Sequence, residues 1–149
     1  MIYPDTSFLC ALYIAQSHSV RAIQSASRLT KPLLGTSLLF FEFRQSVQFQ
    51  AFRFTRDRSQ GYSPAAAKAA MAALQSDITA GLFRVMPVDW PAVHRTAERL
   101  ALQHTIKGGH RSFDILHIAT ALELGASGFL TFDANQKKLA ASEGLQVPG

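Results

Sequence analysis

Apolar residues recur along this chain with two different spacings, and each spacing predicts one kind of element. Short apolar runs, typical of buried strands, alternate with longer segments in which apolar positions return every three or four residues, as in amphipathic helices. The runs predict strands at 1–4, 31–36, 83–88, 129–132 and 145–147. The longer segments predict helices at 7–15, 20–29, 38–54, 64–79, 90–105, 112–124 and 134–142. Strands separated by helices indicate an α/β fold with a central parallel β-sheet flanked by helices on both faces.

The segment from Ser112 to Asp133 carries the most information about function. Its helix is expected to stop at Gly125, and the short strand after Gly128 ends directly before Asp133. In a parallel sheet the carboxyl ends of the strands are where sites form. Asp133 is therefore predicted at such a site, and the question is which other acids converge on it.

The composition of the 149 residues, 48% of them hydrophobic, indicates one domain spanning 1–149. At this size a domain buries roughly 70% of its unfolded surface. No apolar run reaches the ~18–20 residues of a membrane span, no signal-peptide pattern is present, and a single cysteine excludes an intrachain disulfide. We therefore expect a cytoplasmic protein without a membrane partner. The net charge of +5 favours an anionic partner, although such a charge is also common in soluble proteins that have none.

Three aspartates are predicted where strands end or helices begin. Asp5 follows the first strand, Asp114 lies in the first turn of a helix, and Asp133 follows the fourth strand. These positions also suit acids that only stabilise helix starts, because Asp5 and Asp133 would cap helices and Asp114 would interact with a helix dipole. Gln136 would complete a capping box with Asp133. From these residues alone both interpretations stay open.

Glu42 differs from the aspartates because it interrupts the apolar start of a long helix, which Ser37 is expected to cap. Its neighbours Phe40, Phe41 and Phe43 indicate partial burial, and a buried carboxylate requires a partner. Three acids at one edge of the sheet, with a fourth on a helix facing them, would suit a hard cation such as Mg²⁺, which takes oxygen ligands.

Four motifs make this chain resemble the PIN-domain ribonucleases, most of all the VapC toxins of type II toxin–antitoxin modules. The motifs are Asp5-Thr6-Ser7 after the first strand, Glu42 in the helix at 38–54, SFDILHIATA at 112–121 and FLTFD at 129–133. The resemblance implies a single PIN-like domain and a metal-dependent endoribonuclease that hydrolyses RNA phosphodiester bonds with Mg²⁺ or Mn²⁺. It assigns catalytic roles to Asp5, Glu42, Asp114 and Asp133, and supporting polar roles to Thr6, Ser7 and Thr131.

The four acids are expected to have different roles. Asp5, Asp114 and Asp133 are the expected metal ligands. Glu42 is expected to ligate through water or to orient the attacking water. Mutual repulsion should raise the folded-state pKa of at least one of these acids. His117 is expected to hydrogen-bond or pack behind the site rather than to bind zinc.

Basic residues are the expected contacts for RNA. Lys107, His110 and Arg111 are expected to hold substrate phosphates, and Arg44 is expected to contact RNA by charge and stacking together with the phenylalanines of its helix. An equally good interpretation is that the arginines of the helix at 38–54 are simply solvated at the end of that helix, above a phenylalanine-rich core. The same helix shows two apolar faces, although a surface helix needs only one for its own core. Together with the resemblance, the second face predicts a cognate antitoxin and a homodimer as partners, in addition to the RNA substrate.

Two other classes of function remain as alternatives. One is a PIN-fold protein that acts as a non-catalytic RNA-binding or assembly module, which retention of all four acids disfavours. The other is an aspartyl-phosphate enzyme or a receiver domain. A dehalogenase-type phosphatase would require a second aspartate two residues after Asp5, where Ser7 stands, and a receiver would require paired acids at the first strand, where there is only one.

Overall fold

The computed structural model describes residues 1–148, in which short strands and longer helices alternate. The strands are β1 (Ile2–Pro4), β2 (Leu33–Gly35), β3 (Phe83–Val85) and β4 (Gly128–Leu130). The helices are α1 (Thr6–Tyr13), α2 (Ser19–Ser27), α3 (Ser37–Arg56), α4 (Pro64–Thr79), α5 (Trp90–Leu100), α6 (Ile106–Gly108), α7 (Ser112–Glu123) and α8 (Ala134–Ser142). A π-helical turn, Ala101–Thr105, joins α5 to α6. The predicted α/β fold with a parallel sheet flanked by helices is confirmed, while the end of the expected domain at Gly149 lies outside the described residues.

The first and last strands of the described chain lie side by side. β1 pairs in parallel with β4, with Ile2 opposite Gly128 and Pro4 opposite Leu130. β2 pairs in parallel with β3, and β1 is in contact with β2. The ladder of the first pair continues one residue further, because the N–H of Asp5 donates to the carbonyl of Leu130 at 2.9 Å. Residues that follow β1 and β4 therefore emerge next to each other.

Three predicted boundaries differ clearly from the structure. The strand expected at 83–88 ends at Val85, and Pro87 lacks the N–H that a continuing ladder requires. The strand expected at 145–147 is reduced to a single bridge between Gln146 and Gly128. Residues 107–110, where no helix was predicted, begin inside α6, which ends at Gly108 and is followed by Gly109 with a left-handed φ of 64°.

Helix α3 begins at a different cap from the one expected. The side chain of Thr36, rather than that of Ser37, accepts from the N–H of Leu39 at 3.2 Å. Phe43 and Val47 on α3 are fully buried, whereas Phe41 is 57% exposed. α3 therefore packs one apolar face into the core and leaves apolar rings of a second face in solvent. None of the helices within residues 1–148 has the length and apolarity that crossing a bilayer requires.

Candidate functional site

The carboxyl ends of β1 and β4 open into a cleft of about 630 Å³ that all four predicted acids line. Three helices begin at this cleft, since Asp5 precedes α1, Asp114 lies in the first turn of α7 and Asp133 precedes α8. The lining consists of Asp5, Thr6, Ser7, Cys10, Glu42, Ser46, Arg111, Ser112, Phe113, Asp114, Asp133 and Gln136. The helix starts place the positive ends of three helix dipoles around the carboxylates.

Asp5 is only 1% exposed and is held by four hydrogen bonds. Its Oδ1 accepts from the hydroxyl of Ser7 at 2.7 Å and from the N–H of Phe8 at 2.9 Å. Its Oδ2 accepts from the hydroxyl of Thr131 at 2.6 Å and from the amide of Gln136 at 2.9 Å. Burial raises the pKa of Asp5 above its ordinary value, while the hydrogen bonds act against the rise. The direction agrees with the expectation of a raised pKa, but the cause is burial rather than repulsion between acids.

The predicted supporting residues divide between two of the acids. Ser7 and Thr131 both donate to Asp5, and their hydroxyl oxygens lie 3.2 Å apart. Thr6 points the other way and donates to Glu42. The cleft therefore contains two hydrogen-bonded groups, one around Asp5 and one around Glu42.

The capping interpretations of the aspartates also hold. Asp133 caps α8, because its Oδ1 accepts from the N–H groups of Asn135 and Gln136, each at 2.8 Å. Asp114 accepts from the N–H of Arg111 at 3.2 Å and from its guanidinium at 3.4 Å. Local capping fixes these carboxylates where they line the cleft, so the two roles coexist.

Gln136 joins two of the acids, a role that sequence reasoning missed. Its side-chain amide nitrogen lies 2.9 Å from Oδ2 of Asp5 and 3.3 Å from Oδ1 of Asp114. Because these two carboxylate oxygens share one donor, the distance between them cannot exceed the sum of the two hydrogen-bond lengths. The carboxylates of Asp5 and Asp114 therefore lie close together. The sequence assigned Gln136 only to a capping box with Asp133, and its side chain binds the other two acids instead. The one indication in the sequence was that Gln136 lies in the first turn of the helix that Asp133 caps.

A chain of buried polar groups runs behind Glu42. Oε2 of Glu42 accepts from the hydroxyl of Thr6 and contacts Nε2 of His117. Nδ1 of His117 lies 2.9 Å from the hydroxyl of Tyr3, which in turn lies 3.2 Å from Oγ1 of Thr36. The position of His117 behind the site confirms the expectation for this residue, whereas Tyr3 gave no signal in the sequence. We call these five residues the Glu42 relay.

Hydrogen bonds within the Glu42 relay favour the charged form of the Glu42 carboxylate. Burial raises the pKa of Glu42, but the hydrogen bond and charge of His117 and the hydrogen bond from Thr6 outweigh it and leave the pKa below its ordinary value. Both donors bind the same oxygen, Oε2. Glu42 is therefore an ionised acceptor whose position is fixed from behind.

Only one of the predicted basic residues lines the acidic cleft. Arg111 lies at its rim with a side chain that is 81% exposed. Arg44 donates to Gln75 on α4 at 3.3 Å, and Lys107 and His110 line a neighbouring pocket. Most of the basic residues expected to contact RNA therefore lie outside the cleft, and Arg111 alone among them lies at its rim.

The donors in the cleft fit a hard divalent cation. Asp5 and Asp114 converge on one point, and Asp133 lies in the same cleft. Within residues 1–148 no three His, Cys, Asp or Glu side chains are gathered closely enough to hold a metal by themselves. Mg²⁺ does not require such a cage, because it keeps several waters and is usually bound through one or two carboxylates and substrate phosphates. Asp5 is buried and forms no ion pair within the described chain, so a cation nearby would favour its charged form.

Known proteins resemble this chain in sequence and in fold. A sequence model of the PIN domain matches residues 2–142. No curated protein matches the chain significantly.

Solved structures share the fold at low sequence identity. VapC20 of Mycobacterium tuberculosis, described as a sarcin-ricin loop cleaving toxin, has a TM-score of 0.69 and 19% identity, with all of both chains covered. FitAcB from Neisseria gonorrhoeae has a TM-score of 0.68 and 17% identity over 100% of this chain and 97% of the other. VapBC-1 from nontypeable Haemophilus influenzae has a TM-score of 0.63 and 16% identity over 99% of this chain and 97% of the other.

Proposed function

The chain belongs to the PIN domain family, and from its acidic cleft we propose that it is a metal-dependent endoribonuclease, the toxin of a toxin–antitoxin module. The observation that carries the proposal is the convergence of Asp5 and Asp114 on the amide of Gln136. It places two hard oxygen donors together at the carboxyl edge of a parallel sheet, where sites form in such folds. The similarity in fold to a toxin that cleaves the sarcin-ricin loop supports RNA as the substrate.

Asp5, Asp114 and Asp133 would hold Mg²⁺ or Mn²⁺. The chemistry that the cation supplies when bound is charge neutralisation at the phosphate and a lowered pKa of a bound water. Ser7 and Thr131 keep Asp5 oriented through hydrogen bonds of 2.7 and 2.6 Å. Because such bonds fix the ligands before the substrate arrives, little reorganisation is left for the reaction itself.

Glu42 would orient the attacking water. Its pKa is lowered, so it remains an acceptor at neutral pH, and the described hydrogen bonds from Thr6 and His117 engage only Oε2. Oε1 is then available to accept a proton from a water in the cleft. Arg111 at the rim would bind a phosphate, and Arg44, Lys107 and His110 would contact RNA beyond the scissile bond.

Helix α3 would supply the partner surface. Phe41, Phe49 and Phe52 are 57%, 53% and 51% exposed, an unusual number of large rings in solvent on one helix. We assign this face to a cognate antitoxin or to the second subunit of a homodimer, as the resemblance to VapC toxins implies.

The test of the proposed activity is cleavage of total RNA by the purified protein with Mg²⁺, with Mn²⁺ and with EDTA. Asp5→Asn and Asp114→Asn should lose most activity, since each removes a charged ligand, and both should keep a folded circular dichroism spectrum. Asp57→Asn is the matched control, because Asp57 is an exposed acid at the end of α3. Unchanged cleavage in EDTA or in either site variant would contradict the proposal and favour a non-catalytic module.

A further inference from the structure

Gln136 contacts each of the three acids that are expected to hold a metal. Its backbone N–H donates to Oδ1 of Asp133 at 2.8 Å. Its side-chain amide nitrogen, Nε2, donates to Oδ2 of Asp5 at 2.9 Å and to Oδ1 of Asp114 at 3.3 Å. Gln136 also lines the acidic cleft and is only 5% exposed, so its amide lies among the carboxylates rather than at the exposed rim.

The carboxylate of Asp5 has no free site for a cation while the amide of Gln136 donates to it. An ionised carboxylate offers about four lone-pair sites to its partners. Asp5 accepts four hydrogen bonds, two at each oxygen. A cation that binds Asp5 directly must therefore displace one of the four donors.

The amide of Gln136 is the donor that can be displaced at the lowest cost. The N–H of Phe8 belongs to the first turn of α1, which Asp5 caps. The hydroxyls of Ser7 and Thr131 are held in place because each also accepts a backbone N–H, at 2.9 and 3.0 Å. The side-chain oxygen of Gln136, Oε1, is buried and forms no hydrogen bond within residues 1–148. A half-turn of the amide, which exchanges its nitrogen and its oxygen, therefore breaks no bond of the oxygen.

The same half-turn would bring a third oxygen to the two carboxylates. Oε1 would then stand in the place of Nε2, which lies 2.9 Å from the oxygen of Asp5 and 3.3 Å from that of Asp114. An octahedral Mg²⁺ holds its oxygens at about 2.1 Å, so neighbouring ligands lie about 3.0 Å apart. The three atoms thus have the spacing of ligands on one cation. Three oxygens at this distance repel one another unless a cation joins them, so the turn and the binding of a cation depend on each other.

We propose that Gln136 is a further ligand of the divalent cation, through Oε1 after a half-turn of its amide. The inference rests on the proposed nuclease function, which supplies the metal. As a donor, the amide holds the carboxylates of Asp5 and Asp114 together. As an acceptor, it adds a neutral oxygen to the three charged ligands, and its backbone is fixed for both roles by Asp133.

Binding of Mn²⁺, measured by calorimetry without RNA, tests this assignment. Gln136→Met keeps the length of the side chain but replaces the amide with a thioether, a soft donor that a hard cation does not select. It should weaken Mn²⁺ binding by at least about ten-fold, because even groups that only support a ligand are worth about 10–100-fold in metal affinity. Gln136→Glu presents an oxygen in the same place and should bind Mn²⁺ at least as tightly as wild type.

A control variant and a second measurement complete the design. Gln103→Met should leave the affinity unchanged, since Gln103 lies outside the acidic cleft and accepts a hydrogen bond from Arg99 at 2.9 Å. In ¹³C NMR spectra of wild type, Mg²⁺ should shift the side-chain carbonyl carbon of Gln136 downfield, because a ligated carbonyl loses electron density to the cation. If Gln136→Met does not fold, this shift decides the result, and its absence would refute the ligand.

The outcomes separate this inference from the proposed function. Equal affinity of Gln136→Met and wild type would refute the ligand, and tighter binding by Gln136→Met would refute it as well, because the amide would then only compete with the cation. Cleavage of RNA by a wild type whose Mn²⁺ affinity does not depend on Gln136 would leave the nuclease intact. Binding of Mn²⁺ that depends on Gln136, in a protein that cuts no RNA, would support the ligand and refute the nuclease.

Discussion

Replacing Tyr3 with Phe removes one oxygen atom from the Glu42 relay. The ring of Tyr3 is fully buried and stacks on Phe129 with centroids 6.0 Å apart, contacts that Phe retains. The hydroxyl lies 2.9 Å from Nδ1 of His117 and 3.2 Å from Oγ1 of Thr36. The substitution therefore tests hydrogen bonding with little change in packing.

The expected loss of stability follows from the group that is left behind. His117 is 1% exposed, so its Nδ1 would stay buried without a partner, which costs about 1–3 kcal/mol. For a chain of this size each kcal/mol lowers the melting temperature by roughly 2–4 °C, so a loss of about 2 kcal/mol predicts a fall of about 4–8 °C. Cleavage should fall as well, because His117 then holds Glu42 less firmly.

Tyr13→Phe is the control for this experiment. It removes a hydroxyl that donates to Asp77 at 2.7 Å, away from the acidic cleft. It should lower the melting temperature but leave cleavage unchanged at a temperature where both variants are folded. The measurements are thermal melts and initial cleavage rates of wild type and the two variants. A Tyr3→Phe protein that melts within a degree of wild type would show that the relay does not stabilise the fold. A Tyr3→Phe protein that cuts RNA as fast as Tyr13→Phe would show that the relay does not position Glu42.

Three further predictions concern metal, pH and assembly. Saturating Mn²⁺ should stabilise wild type by about 2.7 kcal/mol at a hundred times its dissociation constant, and Asp114→Asn should gain less in parallel thermal melts; equal shifts would mean that Asp114 is no ligand. The lowered pKa of Glu42 contributes stability above its ordinary value of 4.5, and this is lost as pH falls through the folded-state pKa. Urea midpoints of Glu42→Gln should therefore depend less on pH in that acidic range, and a slope identical to that of wild type would refute the assignment. If α3 forms the interface of a homodimer, Phe49→Ser with Phe52→Ser should convert the wild-type dimer into a monomer in analytical ultracentrifugation, whereas an unchanged dimer would place the interface elsewhere.

The order of the elements could be predicted because the apolar spacing is set by each element's own neighbours in the sequence. The positions of Asp5, Asp114 and Asp133 followed from the same logic, since strand ends and helix starts are local features. Predicted boundaries were wrong where a single residue ends an element, as Pro87 does after β3. The spacing of apolar residues carries no information about a missing backbone N–H.

Contacts between distant parts of the chain could not be predicted. The amide of Gln136 reaches Asp5 across 131 positions, and the sequence contains only its local relation to Asp133. The same holds for Tyr3, which meets His117 across 114 positions. The cause of the raised pKa of Asp5 was also hidden, because burial depends on the whole core rather than on the count of nearby acids.

The pairing of β1 with β4 has a consequence for how the protein is made in the cell. Asp5 and Thr131, which hydrogen-bond in the cleft, lie 126 positions apart, and Gln136 follows still later. A nascent chain on the ribosome therefore contains Asp5 long before its partners have been translated. These hydrogen bonds to Asp5 form only when the segment with β4 and α8 has emerged, so a product truncated before β4 lacks these partners of Asp5. Under the proposed nuclease function, the topology delays activity until β4 and α8 have been made.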